Sequence, residues 1–351
     1  MDTLTVALAS LGGVVLAGVI AHGAWQARRA GPKQASSPRE EPSASAPVRG
    51  DGPGLAEGDD LPAGDPAAVA PRRLSKRVPL QLDALIDAFA TFSLDAPVSA
   101  EAIAPHLAAR RFVGSKMFLV EGLNSETGRW EAPAAGERYA ELQSGVQLAS
   151  RTGALNEIEY SEFVQRIQAI ADAIGASADF PDMLDVMARA RELDAFASQH
   201  DAQLAVHLHA QGAAWSVGYI QQHARRHGFV PGVVPGRLVY PSTEEGAPPV
   251  LTLTFDSQAA LADEPDRAAV RDVTLSFDVP QTDPAAEPFK AWRAAAQALA
   301  VGMDAVVVDD NQRSLSGEGF AAIGQELGRL YSVLEARDLA AGSAAARRLF
   351  S

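Results

Sequence analysis

An apolar stretch close to the start of the chain constrains its architecture more than any other feature. Residues 4–25, from Leu4 to Trp25, contain no Asp, Glu, Lys or Arg. As a helix, which rises about 1.5 Å per residue, this stretch covers the roughly 30 Å hydrocarbon core of a bilayer. A cleavable signal peptide needs a basic segment before a shorter apolar core, but the only charged residue here is Asp2. The pattern therefore favours an uncleaved transmembrane helix.

The charges that follow this helix predict its orientation. Arg28, Arg29 and Lys33 lie directly after it, and basic residues stay on the cytoplasmic side of a membrane. We therefore assign residues 1–30 to an anchor whose N-terminus points out and whose following chain is cytoplasmic. The chain has no cysteine, which fits a reducing compartment and excludes thiolate chemistry.

Residues 31–77 have the composition of a flexible linker. They are rich in Pro, Ala, Gly and Ser and show no apolar period, so they have no face with which to bury a core. A basic cluster at Arg72, Arg73, Lys76 and Arg77 closes the linker; we interpret it as a solvated end, with contact to anionic lipid as the alternative. The net charge of −14 argues against a nucleic-acid partner, which would require a basic surface.

Two globular units are predicted to follow, at residues 78–200 and 201–337, with a tail at 338–351. Apolar periodicity places strands of the first unit at Leu85–Leu94, Lys116–Val120 and Tyr139–Ala149, and helices at Ser99–Arg111, Glu159–Ile174 and Pro181–Ser198. The second unit is predicted to have strands at Leu204–Leu208, Arg237–Tyr240, Val250–Phe255, Val273–Val279 and Ala305–Val308, and helices at Trp215–Arg226, Pro284–Ala300 and Gly317–Ala336.

The two units share an order of elements that indicates an internal duplication. Arg110–Gly114 matches Arg225–Val230 with small shifts, and each segment ends a helix. We therefore predict an α+β fold in which a split β-α-β antiparallel sheet with helices on one face is duplicated, plus the N-terminal transmembrane helix. The first copy is expected to be degenerate and to lack a counterpart of Ala305–Val308. The alternative is one composite domain with a helical insertion near residues 150–200.

Three segments of the second unit resemble a known family. His227-Gly228-Phe229 ends a helix, Val273–Pro280 leads from a strand towards the next helix, and Val306–Arg313 forms a strand and turn with the order Asp-Asp-Asn-Gln-Arg. Together with the anchor and linker, these segments are similar to the ZipA family of cell-division proteins over about residues 200–337. Residues 77–200 and the Arg347–Phe350 end resemble the longer members found in beta-proteobacteria.

The resemblance implies a cell-division adaptor rather than an enzyme, with no cofactor. It would sit in the inner membrane with a periplasmic N-terminus and hold the FtsZ ring by binding the C-terminal tail of FtsZ in a shallow apolar groove across the open sheet face. Strand alternation places that face here. Its predicted residues are Gln203, Ala205, His207, Leu238, Tyr240, Val250, Thr252, Thr254, Thr274, Ser276 and Asp278.

These side chains are more polar than the groove that the family uses. Each buried Leu, Phe or Met contributes about 1.5–3 kcal/mol, so their absence predicts weaker binding. Either the tail binds through backbone and hydrogen bonds, or the binding surface has moved, for example to the first unit. A further alternative is a membrane-anchored peptide-binding module of the same fold with a different protein partner.

Other constellations of polar residues are interpreted as structural. His207 with His209, and His223 with His227, have spacings that would suit a metal pair, but no third ligand accompanies either pair. We interpret them as surface histidines and predict no metal site. Asp309 and Asp310, followed by Arg313, could form a hydrolytic carboxylate site; turn chemistry is the favoured interpretation.

Overall fold

The computed structural model describes residues 81–107, 111–262, 264 and 267–351, which form two antiparallel sheets, each with its own helices. The protein is thus of the mixed α+β class, as predicted. The predicted anchor at residues 4–25, the linker at 31–77 and its basic cluster lie outside the described residues. Within the described part of the chain, no helix is both long and apolar enough to cross a membrane.

The first sheet has seven strands. In chain order its strands are β1 (Asp87–Ser93), β2 (Val98–Ser99), β3 (Phe112–Val113), β4 (Lys116–Asn124), β5 (Trp130–Glu131), β6 (Arg138–Gln147) and β9 (Ser177–Asp179). The order across the sheet is β3-β4-β6-β1-β9, with β2 beside β6 and β5 beside β4. A separate small hairpin contains β7 (Ala149–Ser150) and β8 (Gly153–Ala154).

Helices cover one side of this sheet. The helices of the first unit are α1 (Ala100–Ile103), α2 (Glu157–Ile174) and α3 (Met183–His200). Helix α2 begins at a capping box, in which the Asn156 side chain accepts from the Glu159 amide while the Glu159 carboxylate accepts from the Asn156 amide. It ends at Gly175, which has φ +68°, a conformation that favours glycine. The predicted inward face of Phe163, Ile167 and Ile170 is confirmed, because all three are buried in the core.

The second sheet has six strands. They are β10 (Gln203–Ala210), β11 (Val230–Pro231), β12 (Arg237–Tyr240), β13 (Leu251–Thr254), β14 (Asp272–Asp278) and β15 (Ala305–Val308). Their order is β11-β12-β13-β14-β10-β15, and every neighbouring pair is antiparallel. The predicted bounds of β12 and β15 are confirmed.

The helices of the second unit also pack on one side of their sheet. They are α4 (Val217–Arg226), α5 (Ser257–Ala260), α6 (Pro288–Met303) and α7 (Gly317–Glu335). Two fully buried tryptophans tie this layer together, because each indole N–H has a backbone acceptor. Trp292 Nε1 donates to the Leu275 carbonyl of β14 at 2.9 Å, and Trp215 Nε1 donates to the Met303 carbonyl at 2.8 Å.

The expectation that the first unit lacks a counterpart of Ala305–Val308 is wrong. Strand β9 follows α2 and pairs antiparallel with β1, just as β15 follows α6 and pairs antiparallel with β10. Sequence reasoning missed β9 because its three residues, Ser-Ala-Asp, have neither an apolar run nor a period.

The predicted tail at 338–351 is part of the core of the first unit. Helix α8 (Ala344–Leu349) follows α7. Its last residue, Leu349, and the flanking Leu339 and Phe350 are buried among first-unit side chains. Arg348 forms a bidentate ion pair with Asp87 of β1, at 2.6 and 2.8 Å, and both side chains are buried. The end of the chain is therefore in contact with β1, although Arg348 and Asp87 are 261 positions apart in the sequence.

Candidate functional site: the open face of the second sheet

One side of the second sheet is not covered by the helix layer. Alternation along β14 sends Val273, Leu275 and Phe277 into the core, so Thr274 and Ser276 point to the other side. We call this side the second-sheet open face. Its members are paired across the strands in two rows, Val239–Thr252–Ser276–Ala205 and Arg237–Thr254–Thr274–His207–Val308.

Eight of the eleven predicted site residues share this face, since strand pairing and alternation place them there. They are Gln203, Ala205, His207, Thr252, Thr254, Thr274, Ser276 and Asp278. Most of these side chains are half-buried, whereas Ser276, at the centre, is only 6% exposed.

The predicted positions of Leu238, Tyr240 and Val250 on this face are wrong. Leu238 and Val250 are each 4% exposed and belong to the core. Leu238 pairs with Leu253, whose side chain is in the core. Tyr240 points to the same side of β12 as Leu238, and the centroids of the Tyr240 and Phe229 rings are 5.9 Å apart. β12 has an apolar residue on each of its two sides, so the alternation of only four residues did not show which side faces the core.

Sequence reasoning also missed residues that do lie on the open face. Val239 and Arg237 take the places assigned to Leu238 and Tyr240. Val230 of β11 pairs with Val239 and is 45% exposed, and Val233 and Val234 are exposed in the hairpin next to it. One end of the face is therefore apolar, while its centre is lined by small side chains.

The opposite end of the face carries two histidines. His207 contacts Thr274 Oγ1 through Nδ1 at 3.1 Å and Asp310 Oδ1 through Nε2 at 2.9 Å. His209 Nδ1 contacts the Asp272 carboxylate. The loop after β15 reaches the edge of the face through Asp310. Within the described residues, no group of three or more His, Asp or Glu side chains is arranged to hold a metal ion.

Two carboxylates near the face have structural partners. Asp309 Oδ1 accepts from the amides of Asn311 and Arg313, and these backbone hydrogen bonds lower the pKa of its carboxyl. The predicted turn chemistry at Asp309 is confirmed. Asp278 forms an ion pair with Arg151 of the first unit at 2.7 Å, and burial raises the pKa of the Asp278 carboxyl. The Asp278 carboxylate, on the open-face side of β14, is therefore already occupied by a side chain of the first unit.

Comparison with known proteins identifies the segment that contains much of this face. Residues 254–326 match the family model described as ZipA, C-terminal FtsZ-binding domain. This segment belongs to the ZipA family. The match begins at the last residue of β13, contains β14, α6 and β15, and ends within α7. No curated protein matches the chain.

The ZipA match includes part of the open face. The description of the matched family model names FtsZ as what that domain binds. Three of the predicted site residues that lie on the face, Thr274, Ser276 and Asp278, are on β14 within the matched segment. The resemblance inferred from the residues of the second unit is thus confirmed.

Proposed function

We propose that this protein is a cell-division adaptor that tethers the FtsZ ring to the cytoplasmic face of the inner membrane. Residues 4–25 would form the anchor and residues 31–77 the linker. The C-terminal tail of FtsZ would bind along the second-sheet open face. The observation that carries the proposal is that the ZipA-matched segment forms part of a sheet whose helices lie on one side only.

The shape of the face supports an extended guest peptide. The row Val239–Thr252–Ser276–Ala205 has small side chains at its centre, so a peptide backbone can approach the sheet closely there. Apolar peptide side chains would bind at the Val230 and Val239 end. Hydroxyl groups of Thr252, and the Arg237 guanidinium that donates to it at 3.3 Å, would supply hydrogen bonds.

This face predicts modest affinity for one tail. It lacks the large apolar side chains that contribute about 1.5–3 kcal/mol each when buried. A polymer of FtsZ presents many tails to many membrane-held adaptors, so linked binding raises the overall affinity without new contacts. Modest affinity is therefore compatible with ring attachment.

We also propose that the two units are copies of one split β-α-β unit. In both units the first strand lies in the middle of three. On one side it pairs with the last sheet strand before the long helix, and on the other side with the strand after that helix. The orders are β6-β1-β9 and β14-β10-β15. A further helix of similar length then follows in each, α3 and α7. The boundaries would be 78–200 and 201–337, with residues 338–351 completing the first copy.

A second candidate function is peptide binding with a partner other than FtsZ. The polar character of the open face favours it, because a groove built from Thr, Ser and His selects a different peptide from an apolar one. The two candidates differ in whether the FtsZ tail is required for capture.

The test is binding of full-length FtsZ and of FtsZ lacking its C-terminal tail to the complete chain in nanodiscs. We expect only FtsZ with its tail to bind. Ala205→Arg, which fills the row of small side chains, should weaken binding about tenfold or more. Val301→Arg, at a position 87% exposed on α6, is the matched control and should bind normally. Equal binding of tailless FtsZ, or no effect of Ala205→Arg, would contradict the proposal.

A further inference from the structure

The first sheet also has a side opposite α2 and α3. The C-terminal helix covers one end of this side, where Arg348 contacts Asp87 and Gln147, and the rest carries large apolar side chains. Phe118 and Val120 of β4 point into the core, so Met117, Leu119 and Leu123 point the other way. Strand pairing adds three aromatic side chains. Phe112 lies opposite Met117, and Trp130 lies opposite Leu123. Phe89 joins them through Gly145 of β6, which pairs with both Phe89 and Leu119. We call Phe89, Phe112, Met117, Leu123 and Trp130 the first-sheet stripe.

The stripe is accessible and lies outside both hydrophobic cores of the described residues. Phe112 is 46% exposed, and the other four side chains are half-buried. The second-sheet open face has Thr, Ser and Ala at comparable positions in its rows. The protein therefore has two uncovered faces of different chemistry, and the face with large apolar side chains is on the first sheet.

One residue of the chain, Leu82, already lies on this face. The Leu82 amide donates to Glu121 Oε1 at 2.7 Å, and Gln143 Nε2 holds the other oxygen, Oε2, at 3.0 Å. The Leu82 side chain lies over Gly145, where an added Cβ would come within 2.5 Å of Leu82 Cδ2. Leu82 is thus held at two points beside the stripe. Gly145 leaves space for its side chain, and the buried Glu121 carboxylate accepts from its amide.

The charges around the stripe indicate which charge a bound peptide would carry. The rows of this face carry four charged side chains, Asp87, Glu121, Glu141 and Asp179. All are acidic, and Asp87 is already paired with Arg348. Glu141 and Asp179 are exposed, and neither forms an ion pair with another described residue. A guest with basic residues between its apolar ones would pair with these two carboxylates.

We infer that the first-sheet stripe is a second docking surface, for an extended peptide with apolar residues at alternate positions and basic residues between or beside them. This site is separate from the tail-binding face of the proposed function and does not depend on it. Apolar side chains of the guest would lie along Met117, Leu123 and Trp130, and its basic side chains would reach Glu141 and Asp179.

A reciprocal charge experiment tests this inference. The probe is a fluorescent peptide of about ten residues that alternates Leu or Val with Lys and Gln, and its twin carries Glu in place of Lys. Binding is measured by anisotropy with the complete chain in nanodiscs of zwitterionic lipid, against empty nanodiscs. We expect the basic probe to bind about tenfold tighter than its twin, and Glu141→Lys with Asp179→Lys to reverse that preference.

Two further variants separate this site from the rest of the molecule. Leu123→Glu should abolish binding of the basic probe while leaving FtsZ-tail binding unchanged. Thr252→Glu, at a half-buried strand position on the second-sheet open face, should leave probe binding unchanged. Equal binding of both probes, or normal probe binding by Leu123→Glu, would overturn the inference. So would a dimeric wild-type chain that Leu123→Glu makes monomeric, because the stripe would then bind a second copy.

Discussion

At the scale of single residues, the Asp87–Arg348 pair is the most demanding contact in the described structure. Asp87 is fully buried and Arg348 is 6% exposed. The Asp87 carboxylate also accepts from the Asp83 amide at 2.8 Å, and Arg348 Nη1 donates to the Gln81 carbonyl at 3.0 Å. Burial raises the pKa of the Asp87 carboxyl even though Arg348 stabilises its charged form. The pair therefore depends on both partners being present.

We predict that Arg348→Met lowers the free energy of unfolding by about 3–5 kcal/mol, because it leaves a buried carboxylate without its partner. Arg329→Met is the control, since Arg329 and Glu326 form an exposed pair that contributes at most about 1 kcal/mol. Urea denaturation measures both. Combining Asp87→Asn with Arg348→Met should recover part of the loss. Equal costs for Arg348→Met and Arg329→Met would contradict this prediction.

The Glu159 carboxylate predicts a pH dependence. Burial alone would raise its pKa, but hydrogen bonds from the Ser115 amide and hydroxyl, both at 2.8 Å, and from the Asn156 amide lower it below the ordinary value of 4.5. A carboxyl whose pKa is lowered by folding contributes stability above its unfolded pKa and loses it as the pH falls through the folded pKa.

Glu159→Gln keeps a capping side chain but removes this charge. We expect the variant to be less stable than the wild type by about 1 kcal/mol at neutral pH. The difference should shrink as the pH falls below 4.5 and vanish once the pH is below the lowered pKa of the folded wild type. Glu157→Gln, at an exposed position in the same helical turn, is the control. Urea denaturation at a series of pH values measures the effect. A stability difference that persists unchanged in acid would contradict the role of the charge.

At the scale of elements, adjacent residues of strand β12 lie on opposite sides of the sheet, one in the core and one on the proposed binding face. Leu238 lies in the core, whereas Val239 is half-buried on the second-sheet open face. Leu238→Ala should cost about 2–5 kcal/mol of stability because it leaves a cavity. Val239→Thr keeps the branched shape but removes apolar surface, so it should weaken binding of the FtsZ tail with a smaller change in stability. Thermal denaturation and peptide titration of both variants check the assignment; the reverse pattern would show that β12 has the opposite phase.

Helix α8 is too short to be stable in isolation and forms because it packs on the first unit. Leu349 is fully buried there, so Leu349→Ala should cost about 2–5 kcal/mol. Hydrogen exchange should show faster exchange in β1 and β6 than in β10 and β14. Val301→Ala, at an exposed position, should change stability by less than about 0.5 kcal/mol. Uniformly faster exchange in both sheets would instead indicate that the two units unfold together.

At the scale of the whole molecule, the chain passes from the first unit through the second and returns to the first. Arg347 forms an ion pair with Glu244 of the second unit at 2.7 Å, while the next residue, Arg348, binds Asp87 of the first. Gln281 Nε2 also donates to the Phe350 carbonyl at 2.5 Å. The last residues therefore contact both units, and removing them is expected to affect the first core and the junction together.

The proposed membrane attachment is tested on the complete chain. We predict that removing residues 1–30 releases the protein from vesicles, while affinity for a single FtsZ tail in solution stays the same. Capture of FtsZ polymers on the vesicles should be lost, because the linked binding that raises overall affinity requires a membrane-held adaptor. Vesicle flotation with and without FtsZ measures this. Flotation of the shortened chain in the absence of FtsZ would contradict the assignment of the anchor to residues 4–25.

The amino-acid sequence by itself determined the class of the fold and the bounds of its strongly patterned elements. The apolar period of Glu159–Ile174, the cap at Gly175 and the valine run of Ala305–Val308 each depend on neighbouring residues only. The same holds for alternation along β10, β13 and β14, which placed eight of the predicted site residues on the open face. Local pattern also carried the resemblance that the family match at residues 254–326 confirmed.

Only the tertiary structure decided the features that depend on distant contacts. The phase of β12 is set by Leu253 across the sheet, because both of its sides are apolar. The three residues of β9 become a strand only because β1 offers a free edge for pairing. The return of α8 depends on a buried ion pair between residues 261 positions apart, and a pattern of neighbouring residues contains no information about such a contact.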